Sequence, residues 1–319
     1  MAPSSPVVPS LRREAPGGVH AALLLQVLIN AGTYLAGKRA MQELPPLTVV
    51  LWRFLLCALV FGLLLAFSSG PRLPPRGAWR RMLVLGVLAG PINQVLFFQG
   101  LARSSASHAA LLYALTPLGV YGLSLARGRE RVSSRAFLGI LTALTGAVVL
   151  LLGRGLASAR GSLGGDLLIL AAVIAWVVYT TESKPFASAH GPVRATAWSM
   201  MAAALLLLPA VPFALAPERM LAASRPALGS IVYLALLTSV LAYLIWSYAL
   251  SRVPASHVAI FSNLQPAMTA LAAWWVLGEP LYAELLVGGL LVLVGVWLTQ
   301  RAPTTTPRPP SLLPETERG

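Results

Sequence analysis

Polar and aromatic side chains are sparse in this chain, and the ones that interrupt its apolar runs are spaced to share a cavity. Asn30 and Tyr34 are four apart, which puts them one turn from each other on one face of a helix. Asn93 and Gln94 follow Pro91, and Trp176 and Tyr179 are three apart. Tyr113, Tyr243, Trp246 and Asn263 complete a set of rings and amides with almost no fixed charge. Within a bilayer such groups turn inward, because an unpaired polar group in hydrocarbon is costly. The chemistry they offer is binding rather than bond-making, and a mostly neutral, ring-lined cavity suits small amphiphilic or zwitterionic molecules. Arg53 is the one cation within reach; it enters that cavity or it snorkels to an interface.

A second group recurs at a fixed interval. His108 and His257 lie 149 residues apart. A histidine takes up a proton near neutral pH, so gating or proton coupling is one reading. The other is a plain helix start, with Ser107 and Ser256 as caps and the histidines bonded to nearby loops. Pro117 and Pro266 share the interval, and each strips the donor from the carbonyl four residues back, on Tyr113 and Ser262. Those carbonyls either line a cavity or are satisfied by Thr116 and Gln265. Glu130, among Arg127, Arg129 and Arg131, and its counterpart Glu279 are expected to form loop ion pairs. Asp166 and Glu284 begin apolar runs and Glu182 stands near the end of one, so no carboxylate is expected at mid-membrane.

Other chemistries find no residues to carry them. There is no GxGxxG, Walker A, HExxH or CxxC arrangement in a suitable context, so no enzyme, cofactor or metal site is expected. Cys57 is the only cysteine, which rules out an intrachain disulfide. The formal charge of +14 is scattered over short loops without a basic stripe, so nucleic acid is not an expected partner.

Long apolar segments must position these residues. Hydrophobic residues make up 57% of the chain and charged ones 11%, with a mean hydropathy of +0.75. A soluble domain carries about 25% charged residues, so lipid is the expected solvent. Ten runs are near the ~20 residues that cross a bilayer, at about 20–39, 46–67, 81–102, 107–126, 135–153, 165–184, 194–214, 228–250, 256–277 and 281–300. They are continuous, which excludes a β-barrel. With the N-terminus cytoplasmic, sixteen lysines and arginines fall on the inner side and seven on the outer, so both termini are placed inside. The expected fold is therefore an all-α integral membrane protein with ten transmembrane helices. Residues 1–19 form a cytoplasmic tail, 20–153 and 165–300 two five-helix units, 154–164 a linker, and 301–319 a disordered tail rich in proline and threonine. Five spans is an odd number, so the second unit enters the membrane inverted, and inverted repeats are a structural basis for alternating access.

The two units match in detail. LARSSASHAALLYALTP, starting at Leu101, aligns with LSRVPASHVAIFSNLQP, starting at Leu250. The same register carries Glu130 onto Glu279, Gly139 onto Gly288 and Gly146 onto Gly295. At the start of each unit Asn30–Lys38 corresponds to Trp176–Lys184. In these stretches the chain resembles the EamA-type family of the drug/metabolite transporter superfamily, over residues 20–300. The resemblance implies a ten-helix secondary carrier in the bacterial cytoplasmic (inner) membrane, an exporter of amino acids or related metabolites. Its expected partners are a small-molecule substrate and the lipid bilayer. A non-transporting polytopic sensor or assembly scaffold is the competing reading. Gly139, Gly146, Gly153, Gly288, Gly289 and Gly295 are expected to pack helices closely, or to form a homodimer face.

Overall fold

The computed structural model describes residues 16–68, 70–127, 134–152, 155–253, 258–259, 261–279 and 281–300; most of these are helical, with short turns between helices and no strand among them. Among the described residues six stretches are long and apolar enough to cross a membrane: Gly18–Met41, Pro46–Phe67, Arg76–Arg103, Leu163–His190, Pro192–Ala214 and Arg225–Arg252. Phe137–Gly146 and Ala283–Leu298 are shorter apolar helices. Leu24, Leu28, Leu59, Leu63, Ile174 and Leu205 face outward in the bundle, as a surface solvated by lipid requires.

In chain order the helices are α1 (Pro16–Met41), α2 (Pro46–Phe67), α3 (Trp79–Val87), α4 (Asn93–Arg103), α5 (Ala106–Tyr113), α6 (Thr116–Ala126), α7 (Ser134–Leu152) and α8 (Gly155–His190). They continue with α9 (Pro192–Leu207), α10 (Val211–Ala214), α11 (Pro217–Ala222), α12 (Arg225–Tyr233), α13 (Ala242–Arg252), α14 (Gln265–Leu277) and α15 (Ala283–Gln300). Residues 155–164 of the expected linker belong to α8. Proline starts α2 and α9, where its missing N–H costs nothing. Gly191 makes the sharp turn between α8 and α9 at φ 79°, a conformation that a side chain would oppose.

Two wide π turns break the bundle's helices at corresponding places. One, Leu88–Ile92, joins α3 to α4; the other, Leu234–Leu241, joins α12 to α13. Their causes differ. Pro91 lies inside the first and removes an N–H from the ladder. The second has no proline; instead Thr238 and Ser239 both donate hydroxyl hydrogens to the Leu234 carbonyl, at 2.6 and 3.0 Å. The chain also breaks at Ala114–Leu115, ahead of Pro117, and at the 3-10 turn Phe261–Leu264, ahead of Pro266.

Lysines of α1 and α8 cap equivalent helix ends. Lys38 donates to the carbonyl of Ser104 beyond α4, and Lys184 to Leu250 and Val253 at the end of α13, at 3.1 and 2.7 Å. A cation suits these unsatisfied carbonyls. α7 and α15 pair with each other along glycines. A Cβ on Gly146 would lie 2.6 Å from the Gly288 carbonyl oxygen, and one on Gly295 would lie 2.5 Å from that of Gly139. Only glycine permits this approach, which gives the two helices a long dispersion contact. Polar and aromatic residues of α1, α2, α4, α5, α6, α8, α13 and α14 face a common cavity.

Candidate substrate cavity

The two π turns place side chains around one cavity. Asn93 and Gln94 follow the first turn directly; Thr238 lies in the second, with Tyr243 and Trp246 just past it. Eight of the ten residues expected from sequence line it: Asn30, Tyr34, Asn93, Gln94, Tyr113, Trp176, Tyr243 and Trp246. Tyr179 does not line it but stacks on Trp176, ring centroids 5.2 Å apart, and so backs the wall. The side chain of Asn263 lies outside the described residues, as does His257 entirely.

The aromatic lining divides by half of the chain. Tyr34, Phe97 and Tyr113 form one edge-to-face cluster with centroids 5.4 to 6.4 Å apart. Trp176, Tyr243 and Trp246 form the other, at 5.4 and 5.5 Å from Trp176. Offset and edge contacts of this kind hold rings rigidly.

Arg53 settles between these halves. It is 2% exposed and lines the cavity; it does not snorkel. Its Nε donates to Ser239 Oγ at 2.5 Å and its Nη1 to Gln94 Oε1 at 2.6 Å, so it ties one π turn to the other. Gln94 Nε2 in turn donates to Asn93 Oδ1 at 2.5 Å, and Asn93 Nδ2 donates to Tyr113 Oη at 2.8 Å and to the Ala172 carbonyl at 2.7 Å. Gln265 donates to Tyr34 Oη at 3.1 Å. The indole N–H of Trp246 and the hydroxyl of Thr33 are buried with no hydrogen-bond partner. Among the described residues no acidic side chain lines the cavity or pairs with Arg53.

Gln26, Thr33, Phe97, Thr116, Thr238 and Gln265 also line it, and sequence reasoning did not single them out as site residues. Gln26 and Thr33 carried a usable signal, since with Asn30 and Tyr34 they follow one face of α1. Thr238 carried none, because a threonine in an apolar run usually satisfies itself on its own helix.

The histidine and proline expectations resolve differently. His108 bonds no loop; its Nδ1 is 3.1 Å from Asp166 Oδ2 on α8, and Ser104 Oγ donates to Asp166 Oδ1. All three are buried, and Asp166 stands near the start of the apolar span Leu163–His190, as expected. Ser105, not Ser107, caps α5, accepting from the His108 N–H at 3.1 Å. Ser107 instead joins Ala106 in binding Glu279: their two backbone N–H groups and the Ser107 hydroxyl donate to its carboxylate at 2.9, 3.2 and 3.0 Å. Glu279 is therefore a helix cap rather than a loop ion pair, because an anion suits the positive N-terminal end of α5. Glu130 lies outside the described residues. The carbonyl freed by Pro117, on Tyr113, accepts from Thr116 Oγ1 at 2.6 Å. Pro266 heads α14 after the 3-10 turn, and Gln265 beside it turns its amide N–H groups to Tyr34. Glu182 is held by Arg81 at 3.5 Å and by Arg127.

A multi-pass bundle of apolar helices closed around a polar cavity is the architecture of a membrane transporter. Known proteins agree on the class. The model of the EamA-like transporter family matches residues 18–152 and again residues 163–301. The "Uncharacterized transporter YyaM" of Bacillus subtilis is 28% identical over 87% of this chain and 92% of its own length. An "Uncharacterized transporter" of Archaeoglobus fulgidus is 27% identical over 88% and 96%. The "Probable terminal-alkyne amino-acid exporter" of Streptantibioticus cattleyicolor is 29% identical over 76% and 81%. A solved crystal structure 19% identical in sequence shares the fold, with a TM-score of 0.64 over 89% of this chain and 96% of that one. The chain belongs to the EamA-like transporter family.

Proposed function

We propose that the protein is a secondary carrier that exports a small metabolite through the Arg53 cavity by alternating access between two inverted five-helix repeats. The observation that carries this reading is the cavity's position: each half of the chain contributes a π turn and an aromatic cluster to it. Binding sites between repeats, beside interrupted helices, are the pattern of secondary carriers. The glycine contacts support the inversion. Gly139 meets Gly295 while Gly146 meets Gly288, so α7 and α15 run antiparallel and their equivalent residues exchange contacts. A two-fold axis across the helices has that effect, and for helices standing in a bilayer it lies in the membrane plane. The ten-span topology, a bacterial cytoplasmic membrane and inward-facing termini belong to the same reading. Export and an amino-acid-like substrate are favoured by the name of the Streptantibioticus cattleyicolor relative.

The test is an untargeted metabolite profile of the medium around cells expressing the wild type, beside cells with equal membrane levels of Trp246→Ala. Accumulation of a metabolite outside with the wild type alone is the expected result. Equal enrichment with both proteins would remove the cavity assignment. Enrichment with neither would favour a scaffold or an importer.

A further inference from the structure

We propose that the cavity recognises a carboxylate through the guanidinium of Arg53, so that the carried molecules are organic acids or zwitterions. The inference rests on the carrier reading and adds the chemical class of the cargo.

The first support is charge. A guanidinium stays ionised in proteins. Arg53 is buried in an apolar bundle; its hydrogen-bond partners are two neutral oxygens, Ser239 Oγ and Gln94 Oε1, and its guanidinium carbon lies 6.0 and 5.7 Å from the ring centres of Phe54 and Phe98. A buried charge without a counter-charge is unfavourable, and within a membrane it marks a site completed from outside. The other buried or half-buried acids described here are already engaged: Asp166 with His108 and Ser104, Glu182 with Arg81 and Arg127, Glu279 with the start of α5.

The second support is the direction of the hydrogen bonds. Arginine only donates and a backbone carbonyl only accepts. With Arg53 at one end and the Ala172 carbonyl at the other, the amides between them can point in one sense only. That sense consumes the oxygens of Gln94 and Asn93 inside the chain of bonds. Tyr113 and Tyr34 accept from Asn93 and Gln265, so their own O–H groups remain to donate. Trp246, on the same cavity, has a buried indole N–H without an acceptor. Tyr243, on the same cavity, likewise has a buried hydroxyl without a partner, so the lining keeps donors in reserve. Such a wall stabilises an anionic group.

Among the described residues one basic side chain lines the cavity, which matches a singly charged carboxylate better than a phosphate dianion. The rings of Trp176 and Phe97 are left for the apolar or ammonium remainder of the ligand. The register that aligns Asn30 with Trp176, Lys38 with Lys184 and Pro46 with Pro192 puts Ser199 opposite Arg53. Ser199 donates to Ala195 O at 2.7 Å, so the second half of the chain supplies no matching cation.

The test uses purified full-length protein in lipid nanodiscs and a panel of α-amino acids, α-keto acids and aryl carboxylates, each beside its own carboxamide. Binding is read as thermal stabilisation, and flux is read separately in proteoliposomes. At least one carboxylate should bind about ten- to hundredfold more tightly than its carboxamide, the value of a charge-assisted hydrogen bond. Arg53→Gln should remove that preference and Arg53→Lys should keep part of it. The wild-type comparison needs no variant, so a misfolded Arg53→Gln does not blunt the test. Equal binding of acid and amide, preference for the amide, or no carboxylate bound across the panel would overturn the inference. Flux of carboxamides as fast as their acids would leave the carrier standing and sink the carboxylate. Binding of acids without flux would do the reverse.

Discussion

Two buried polar clusters lie in this bundle, and they are wired in opposite ways. Around Asp166 every partner is internal: Ser104 and His108 use its two oxygens and fasten the corner between α4 and α5 to α8. Around Arg53 the chain supplies two neutral acceptors and no acid. Burial does not separate the clusters, since Arg53, His108 and Asp166 are 2%, 3% and 1% exposed. What separates them is whether the charges close within the protein. A closed cluster holds helices together and asks for nothing more. An open one is completed by whatever enters the cavity.

Breaking the closed cluster should have the largest effect on stability. Asp166→Ala leaves the Ser104 hydroxyl and the His108 ring without their shared acceptor, at about 1–3 kcal/mol for each unsatisfied group. Thermal unfolding in nanodiscs should show a marked fall in Tm, while the folded fraction keeps its preference between acid and amide. Arg53→Gln should give the opposite pattern. If Asp166→Ala spared stability and altered flux, the cluster would belong to the transport path and the proton-coupling reading of His108 would gain. A control outside both clusters is Gly146→Leu. Its new side chain meets α15 backbone, so it should cost about 1–3 kcal/mol by overpacking and leave ligand preference alone. A smaller effect is expected of Ser239→Ala. It removes one acceptor from Arg53, worth about 0.5–1.5 kcal/mol, and should loosen the guanidinium enough to weaken carboxylate binding a few-fold without abolishing it. An unchanged affinity would mean that Gln94 alone orients Arg53.

The open cluster was more legible in the sequence than the closed one. Asn30, Tyr34, Asn93, Gln94 and Tyr243 are conspicuous because they are polar in apolar runs, and hydrocarbon leaves such groups few places to go. Six of the ten expected spans were legible for the same reason, from continuous apolar length. Pairings between distant segments were not. Nothing in the chain says that His108 meets Asp166, 58 residues on, or that Glu279 caps a helix 173 residues earlier. Each is a surface-type residue whose role is set by what the bundle brings beside it. Arg53 was ambiguous because snorkelling and burial use the same side chain, and only the position of Ser239 and Gln94 decides between them. The second π turn was invisible, since Thr238 and Ser239 bend a helix without the proline that announces the first.

The smallest expected effect lies outside the membrane, where a charge is held without burial. Glu43, just after α1, accepts from the Ser224 hydroxyl at 2.6 Å and the Ser224 N–H at 2.7 Å, which links α1 to the start of α12. The hydroxyl bond first, then the backbone bond, and last the charge of Arg39 lower its pKa from the ordinary glutamate value. A carboxyl whose folded pKa is depressed adds stability above its unfolded pKa and loses it as pH falls through the folded one. Glu43→Gln should therefore be slightly less stable than the wild type at neutral pH and equal to it in acid below the carboxylate range. Parallel unfolding curves at every pH would mean that the exposed contact contributes nothing, as many surface charge pairs do. It would also sharpen the contrast between the clusters, because then only polar groups shut away from water would matter to this bundle.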